Sequence, residues 1–129
     1  MNQTSDQATK QILLVENSNT ARLVITRDLK KHGYEVISVA TGKEAVSILQ
    51  EQPFDLIIMD VFLPEMNGYE AVEQIRVLNK DLANKPIFGY TSSNSEFDRK
   101  RCLEAGMNEY IIKSENNQDL IDYIRQYNL

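Results

Sequence analysis

The chain has 129 residues, 42% of them apolar and 26% charged, and a net charge of −5. That length supports one hydrophobic core rather than two, in a composition ordinary for a globular protein. The acidic balance argues against a phosphate backbone as partner. No apolar run nears the roughly 20 residues that cross a bilayer, and a single cysteine, Cys102, leaves no internal disulfide and no thiolate metal site.

Residues 1–10 are polar and contain no apolar core of a signal peptide, so a disordered tail is predicted, followed by one domain over residues 11–129. A cytoplasmic location, with no membrane and no nucleic-acid partner, fits these features. The first apolar run is Ile12–Val15. A helix is predicted over residues 20–32, with Ala21, Val24, Ile25 and Leu29 on one face and Gly33 placed as a left-handed cap. His32, at its end, suits the helix dipole better than any phosphohistidine role. The second run, Val36–Val39, leads to Thr41-Gly42-Lys43-Glu44, which has the form of a capping box, with Ala45, Ile48 and Leu49 at helical spacing. The third run is Leu56–Met59. Asn67-Gly68-Tyr69-Glu70 opens a third helix carrying Ala71, Val72, Ile75 and Leu78. The fourth run, Ile87–Tyr90, precedes a helix over residues 95–105 closed by Gly106. The fifth, Tyr110–Ile112, precedes a helix over residues 117–127 with Leu120, Ile121 and Ile124 inward. Short, β-branched apolar runs of this kind are predicted to be strands buried on both faces. Strand and helix thus alternate five times. The expected fold is α/β: a doubly wound five-stranded parallel sheet with five helices.

Ligands in such sheets bind outside the carboxyl ends of the strands. There the sequence places Glu16-Asn17, Asp60, Thr91-Ser92 and Lys113-Ser114; the second strand ends near Ala40 and delivers no polar group. Each residue has a bland role available: Asn17 or Ser18 as a helix cap, Asp60 in a turn, Thr91 as a strand residue, Lys113 on the surface. Together they form a chemical set. Carboxylate and carboxamide oxygens suit magnesium. A carboxylate can act as nucleophile towards phosphorus, while a hydroxyl and an ammonium hold phosphoryl oxygens.

Four segments carry a resemblance: Ile12-Leu13-Leu14-Val15-Glu16-Asn17, Leu56 through Gly68 with Asp60-Val61-Phe62-Leu63-Pro64-Glu65-Met66-Asn67-Gly68, Pro86 through Ser92, and Tyr110-Ile111-Ile112-Lys113. Over residues 11–127 the chain resembles the receiver domains of bacterial response regulators, the family that includes the chemotaxis regulator. The resemblance implies a flavodoxin-like (βα)5 fold. It also implies Asp60 as phosphoacceptor from a phosphohistidine, with Mg2+ held by Glu16, Asn17, Asp60 and the backbone carbonyl of Phe62. Thr91 would hydrogen-bond the phosphoryl group, Lys113 would pair with it, and Tyr110 would be the switch aromatic that follows Thr91. The implied partners are a histidine kinase or phosphotransfer protein, and a downstream protein bound on the fourth helix, fifth strand and fifth helix, roughly residues 95–127. No substrate turnover is implied.

Two departures from the family pattern stand out. Asn17 occupies the place of a second acid, which predicts weaker magnesium binding and leaves open a degenerate receiver that works by protein contacts alone. Ser114 replaces the usual proline after the lysine, and a cis bond before serine would cost about 3 kcal/mol, so the loop is expected to take another path. Phe62 stands two residues after Asp60, where it either shields an acyl phosphate from water or packs against the loop. Rival functions fit less well. A haloacid-dehalogenase-like phosphatase needs an acid where Phe62 stands, and a flavodoxin needs a glycine-rich phosphate loop where Glu16 would repel phosphate. The basic run Arg99-Lys100-Arg101 reads as a solvated helix face.

Overall fold

The computed structural model describes residues 9–129. The predicted disordered tail over residues 1–10 lies outside them except for Thr9 and Lys10. Lys10 belongs to the fold, since its carbonyl accepts from the Glu35 amide at 3.0 Å.

The elements follow in order: β1 (Gln11–Val15), α1 (Asn19–Lys31), β2 (Glu35–Val39), α2 (Gly42–Leu49), β3 (Leu56–Met59), α3 (Gly68–Arg76), α4 (Lys80–Asn84), β4 (Ile87–Thr91), α5 (Glu96–Ala105), β5 (Glu109–Ile112), a 3-10 turn (Glu115–Asn117) and α6 (Gln118–Gln126). The strands form one parallel sheet in the order β2-β1-β3-β4-β5. The period of two along each strand sorts the core into two layers. Leu13, Val15, Ile57 and Met59 face Ala45, Leu49, Val72, Ile75 and Cys102 on α2, α3 and α5. Ile12, Leu14, Leu56, Ile58 and Phe88 face Ile25, Leu29, Leu120 and Ile124 on α1 and α6. Each such fully buried aliphatic side chain contributes about 1.5–3 kcal/mol of burial free energy, so the two layers dominate stability.

The helix ends form as their chemistry dictates. Ser18 caps α1 through the Ala21 amide at 3.1 Å. Thr41 and Glu44 make the reciprocal capping box of α2, at 3.1 and 3.2 Å. Gly33 and Gly106 take the positive φ values, 94° and 121°, that a side chain would resist.

Two expectations need correction. β2 and β5 are not buried on both faces: Glu35, Ile37 and Ser38 are exposed, as is Ile112. Both strands lie at the sheet edges, where one flank meets solvent, and the pattern of residues does not reveal edge position. A sixth helix, α4, also forms between α3 and β4. Asn79 starts it by accepting from the Leu82 amide at 2.9 Å. Arg76 then fastens it, donating to the carbonyls of Leu82 and Lys85 (2.8 and 2.6 Å) and to that of Gly106 (2.6 Å). Cys102 is buried, and burial pushes its thiol up to about 11, so it is an inert core side chain. Of the basic run, Arg99 and Lys100 are solvated, while the Arg101 guanidinium lies 4.5 Å from the centre of the Tyr69 ring.

Candidate functional site

The parallel ladder continues one residue past each strand at the carboxyl edge. Glu16 N donates to Val39 O (3.0 Å), Asp60 N to Val15 O (3.0 Å) and Lys113 N to Thr91 O (2.8 Å). These bonds fix three backbone positions whose side chains then converge. Lys113 Nζ lies 2.6 Å from Glu16 Oε1 and 3.5 Å from Asp60 Oδ2. Glu16 Oε2 accepts from the Ser18 amide at 3.0 Å, and Asp60 Oδ1 from the Phe62 amide at 3.3 Å. Both carboxylates are largely buried, at 4% and 8% exposure, so neither is a solvated surface charge.

Burial and the neighbouring charges divide the three groups. Burial, and next the negative charge of Glu16, raises the Asp60 carboxyl above its ordinary value, and Lys113 offsets only part of this. Burial works the same way on Glu16, but the bonds from Lys113 and the Ser18 amide outweigh it and hold that carboxyl below the usual range. Burial alone would lower Lys113, and its two carboxylate partners raise it instead. The shorter contact to Glu16 agrees with this division: Glu16 carries the firm charge, and Asp60 is the less stabilised anion.

The other predicted residues stand close by without joining this cluster. Thr91 is fully buried at the end of β4; its hydroxyl accepts from the Ser93 amide at 3.3 Å, and no hydrogen bond joins it to Asp60. Tyr110 donates its hydroxyl to the Ser93 carbonyl at 3.0 Å, which ties it to the loop that follows Thr91. Asn17 is exposed beside Glu16. Phe62 is 56% exposed, so it does not pack into the loop. Arg22 escaped the sequence analysis. Its guanidinium donates to the carbonyls of Glu16 (2.8 Å) and Asn17 (3.2 Å) and bonds Asn19, fixing the segment between β1 and α1. An arginine in the first turn of a helix carries no mark of that role.

The donor set fits a hard dication. Two buried carboxylates converge, with carbonyl and carboxamide oxygens in neighbouring residues. Magnesium takes one or two carboxylates and completes its shell with waters and phosphate oxygens. Among the described residues no group of three His, Cys, Asp or Glu side chains converges.

The sequence from residue 12 to 125 matches the family described as the response regulator receiver domain. The chain belongs to that family. It is 31% identical over 115 residues to the CAI-1 autoinducer sensor kinase/phosphatase CqsS of Vibrio cholerae, covering 89% of this chain and 17% of that protein. It is 32% identical over 114 residues to the transcriptional regulatory protein AfsQ1 of Streptomyces coelicolor, covering 88% and 49%. The chain therefore spans less than half the length of either relative. Among solved structures, the receiver domain of a sensor histidine kinase from Pseudomonas aeruginosa, with magnesium coordinated in its active-site cleft, is 36% identical with a TM-score of 0.84, covering 92% of this chain and 97% of that one. The chemotaxis response regulator CheY4 of Vibrio cholerae is 28% identical, also with a TM-score of 0.84, covering 92% and 98%. The fold and the receiver function of two-component signalling are thus both established for this chain. Among the described residues no helix is long and apolar enough to cross a membrane.

Proposed function

We propose that Asp60 is the phosphoacceptor of this receiver domain, on the strength of one observation: the less stabilised of two buried carboxylates stands 3.5 Å from an ammonium group at the carboxyl edge of the sheet. An Asp60 carboxylate oxygen attacks phosphorus, the bond from phosphorus to the donor breaks, and the donor leaves with its electron pair. The donor class is a phosphohistidine on a histidine kinase or phosphotransfer protein. Glu16, Asn17, Asp60 and the Phe62 carbonyl would hold Mg2+, which offsets phosphoryl charge when bound. Lys113 neutralises the phosphoryl oxygens, and the Thr91 hydroxyl turns from Ser93 to donate to them. Because Tyr110 and Thr91 share Ser93 as a partner, that movement reaches Tyr110 and the downstream surface over residues 95–127. The residue set makes one acyl phosphate on its own Asp60 and turns over no separate substrate.

Purified protein treated with acetyl phosphate and magnesium is expected to gain the mass of one phosphoryl group on the peptide that carries Asp60. Asn17→Asp is expected to lower the magnesium concentration needed, because a carboxylate there adds a formal charge. The degenerate reading, motivated by Asn17, requires the opposite: no uptake by the native chain at any magnesium concentration.

Phe62 is exposed and lies two residues after Asp60, and in this reading its ring shields the acyl phosphate from water. Phe62→Asn is expected to shorten the phosphoryl lifetime about tenfold, less than the ~10²–10⁴-fold of a positioned general base, because a carboxamide orients water without taking its proton. An unchanged decay rate would remove the shielding role.

A further inference from the structure

Directly after Lys113 the backbone runs through Ser114 into the Glu115–Asn117 turn, where two consecutive residues, Asn116 and Asn117, are left-handed, with φ of 57° and 55°. After glycine, asparagine enters this region most readily, because its short carboxamide can hydrogen-bond locally. Tertiary contacts add to this local preference in holding the turn. Asn117 is only 6% exposed although it lies in a loop. Its carboxamide oxygen accepts from the Tyr90 hydroxyl at 2.5 Å, and its nitrogen donates to Asp28 Oδ2 at 2.7 Å. Tyr90 is 1% exposed and Asp28 9%.

The placement of these partners ties them to the site. Tyr90 immediately precedes Thr91. Asp28 lies on α1, the helix that follows Glu16 and Asn17. Asn117 comes four residues after Lys113. One carboxamide thus links the three chain segments that deliver Glu16, Thr91 and Lys113. We infer that Asn117 is a positioning residue for Lys113, its carboxamide fixing the loop path that sets the ammonium against Glu16 and Asp60. This rests on Asp60 being the phosphoacceptor. The position needs an acceptor on one side and a donor on the other, and a carboxamide presents the two on separate atoms. Burial raises the Tyr90 hydroxyl above its ordinary value, so it remains a donor.

The chemistry provides its own rescue. Asn117→Asp sets a second carboxylate against Asp28 and removes the donor between them. With Asp28→Asn added, the carboxylate at 117 accepts from both Tyr90 and the new carboxamide at 28, so the bond from Tyr90 keeps its direction and the bond between 28 and 117 returns in reversed polarity. The test is the rate of phosphoryl uptake from acetyl phosphate with magnesium, for the full chain with and without Lys113→Ala. Asn117→Asp is expected to slow uptake about tenfold or more, the scale of a small misplacement of a reacting group. Asp28→Asn with Asn117→Asp should restore most of it, and in the Lys113→Ala background Asn117→Asp should change nothing further. Tyr90→Phe, which removes one bond and keeps the ring, should slow uptake in the same Lys113-dependent way if Asn117→Asp does not fold.

A native rate in Asn117→Asp, no rescue by the reversed pair, or an equal slowing with and without Lys113 would each overturn the inference. Native protein that takes up no phosphoryl group would sink the phosphoacceptor proposal and this one with it. Native uptake left unaltered by Asn117→Asp sinks this one alone.

Discussion

Asp60→Asn is expected to abolish phosphoryl uptake and, near neutral pH, to make the domain more stable than the native chain. The loss follows because a carboxamide forms no acyl phosphate. The gain follows from the buried environment, where burial and the charge of Glu16 raise the Asp60 carboxyl above its ordinary value. Its ionised form therefore costs folding free energy at every pH above the unfolded pKa, and that cost disappears as falling pH protonates the group in the folded state. The advantage of asparagine should accordingly be full near neutral pH and shrink as pH falls through the raised folded value. Glu16 behaves oppositely. With its carboxyl held low, it contributes stability above its unfolded pKa that is lost only as pH falls through its own, lower folded value. Denaturant unfolding of native protein and Asp60→Asn at neutral and mildly acidic pH measures the Asp60 sign. A variant less stable than the native chain at neutral pH would show that Lys113 over-compensates the burial of Asp60. A site that lowers stability is the expected signature of a residue retained for chemistry.

Gly68→Ala should disrupt both fold and site. A β-carbon at position 68 would sit 2.2 Å from the Asp60 carbonyl oxygen and 3.0 Å from Val61 Cα, and these are backbone atoms that cannot rotate away. The Gly68 amide also donates to Val61 O at 2.8 Å, so the start of α3 is bound to the segment that carries Asp60. Forcing the two apart costs about 3 kcal/mol, the upper range for an over-packed core. The displacement falls on the residue after β3, so phosphoryl uptake should fall even at temperatures where the variant is folded. Unfolding midpoint and uptake rate together test this. Native values of both would mean that the loop after Asp60 yields freely.

The helix starts and stops were legible because capping is local. Thr41 and Glu44, Ser18, Gly33 and Gly106 act within a few residues of themselves, and each is where the sequence puts it. α4 was not, because it depends on Arg76 reaching carbonyls six and nine residues ahead and one thirty residues away. The exposure of β2 and β5 escaped for a similar reason, since strand order is a property of the assembled sheet. Within the site, Glu16, Asp60 and Lys113 could be named in advance because each follows an apolar run at the edge where parallel strands end. Arg22, Tyr90, Asp28 and Asn117 could not, because a first-turn arginine, a strand tyrosine, a helix aspartate and a loop asparagine are each common surface or core residues.

By itself, then, the sequence determined the alternation of strand and helix, the two-layer core, and which polar residues fall at the carboxyl edge, all of which follow from periodicity and local hydrogen bonding. Only the tertiary structure decided how those residues share charge. Lys113 lies 97 residues from Glu16 and 53 from Asp60 in the chain, and no local pattern encodes which carboxylate it approaches more closely. That choice is made by the ladder register and by burial, which penalises every unpaired charge at once and so acts only on the folded whole.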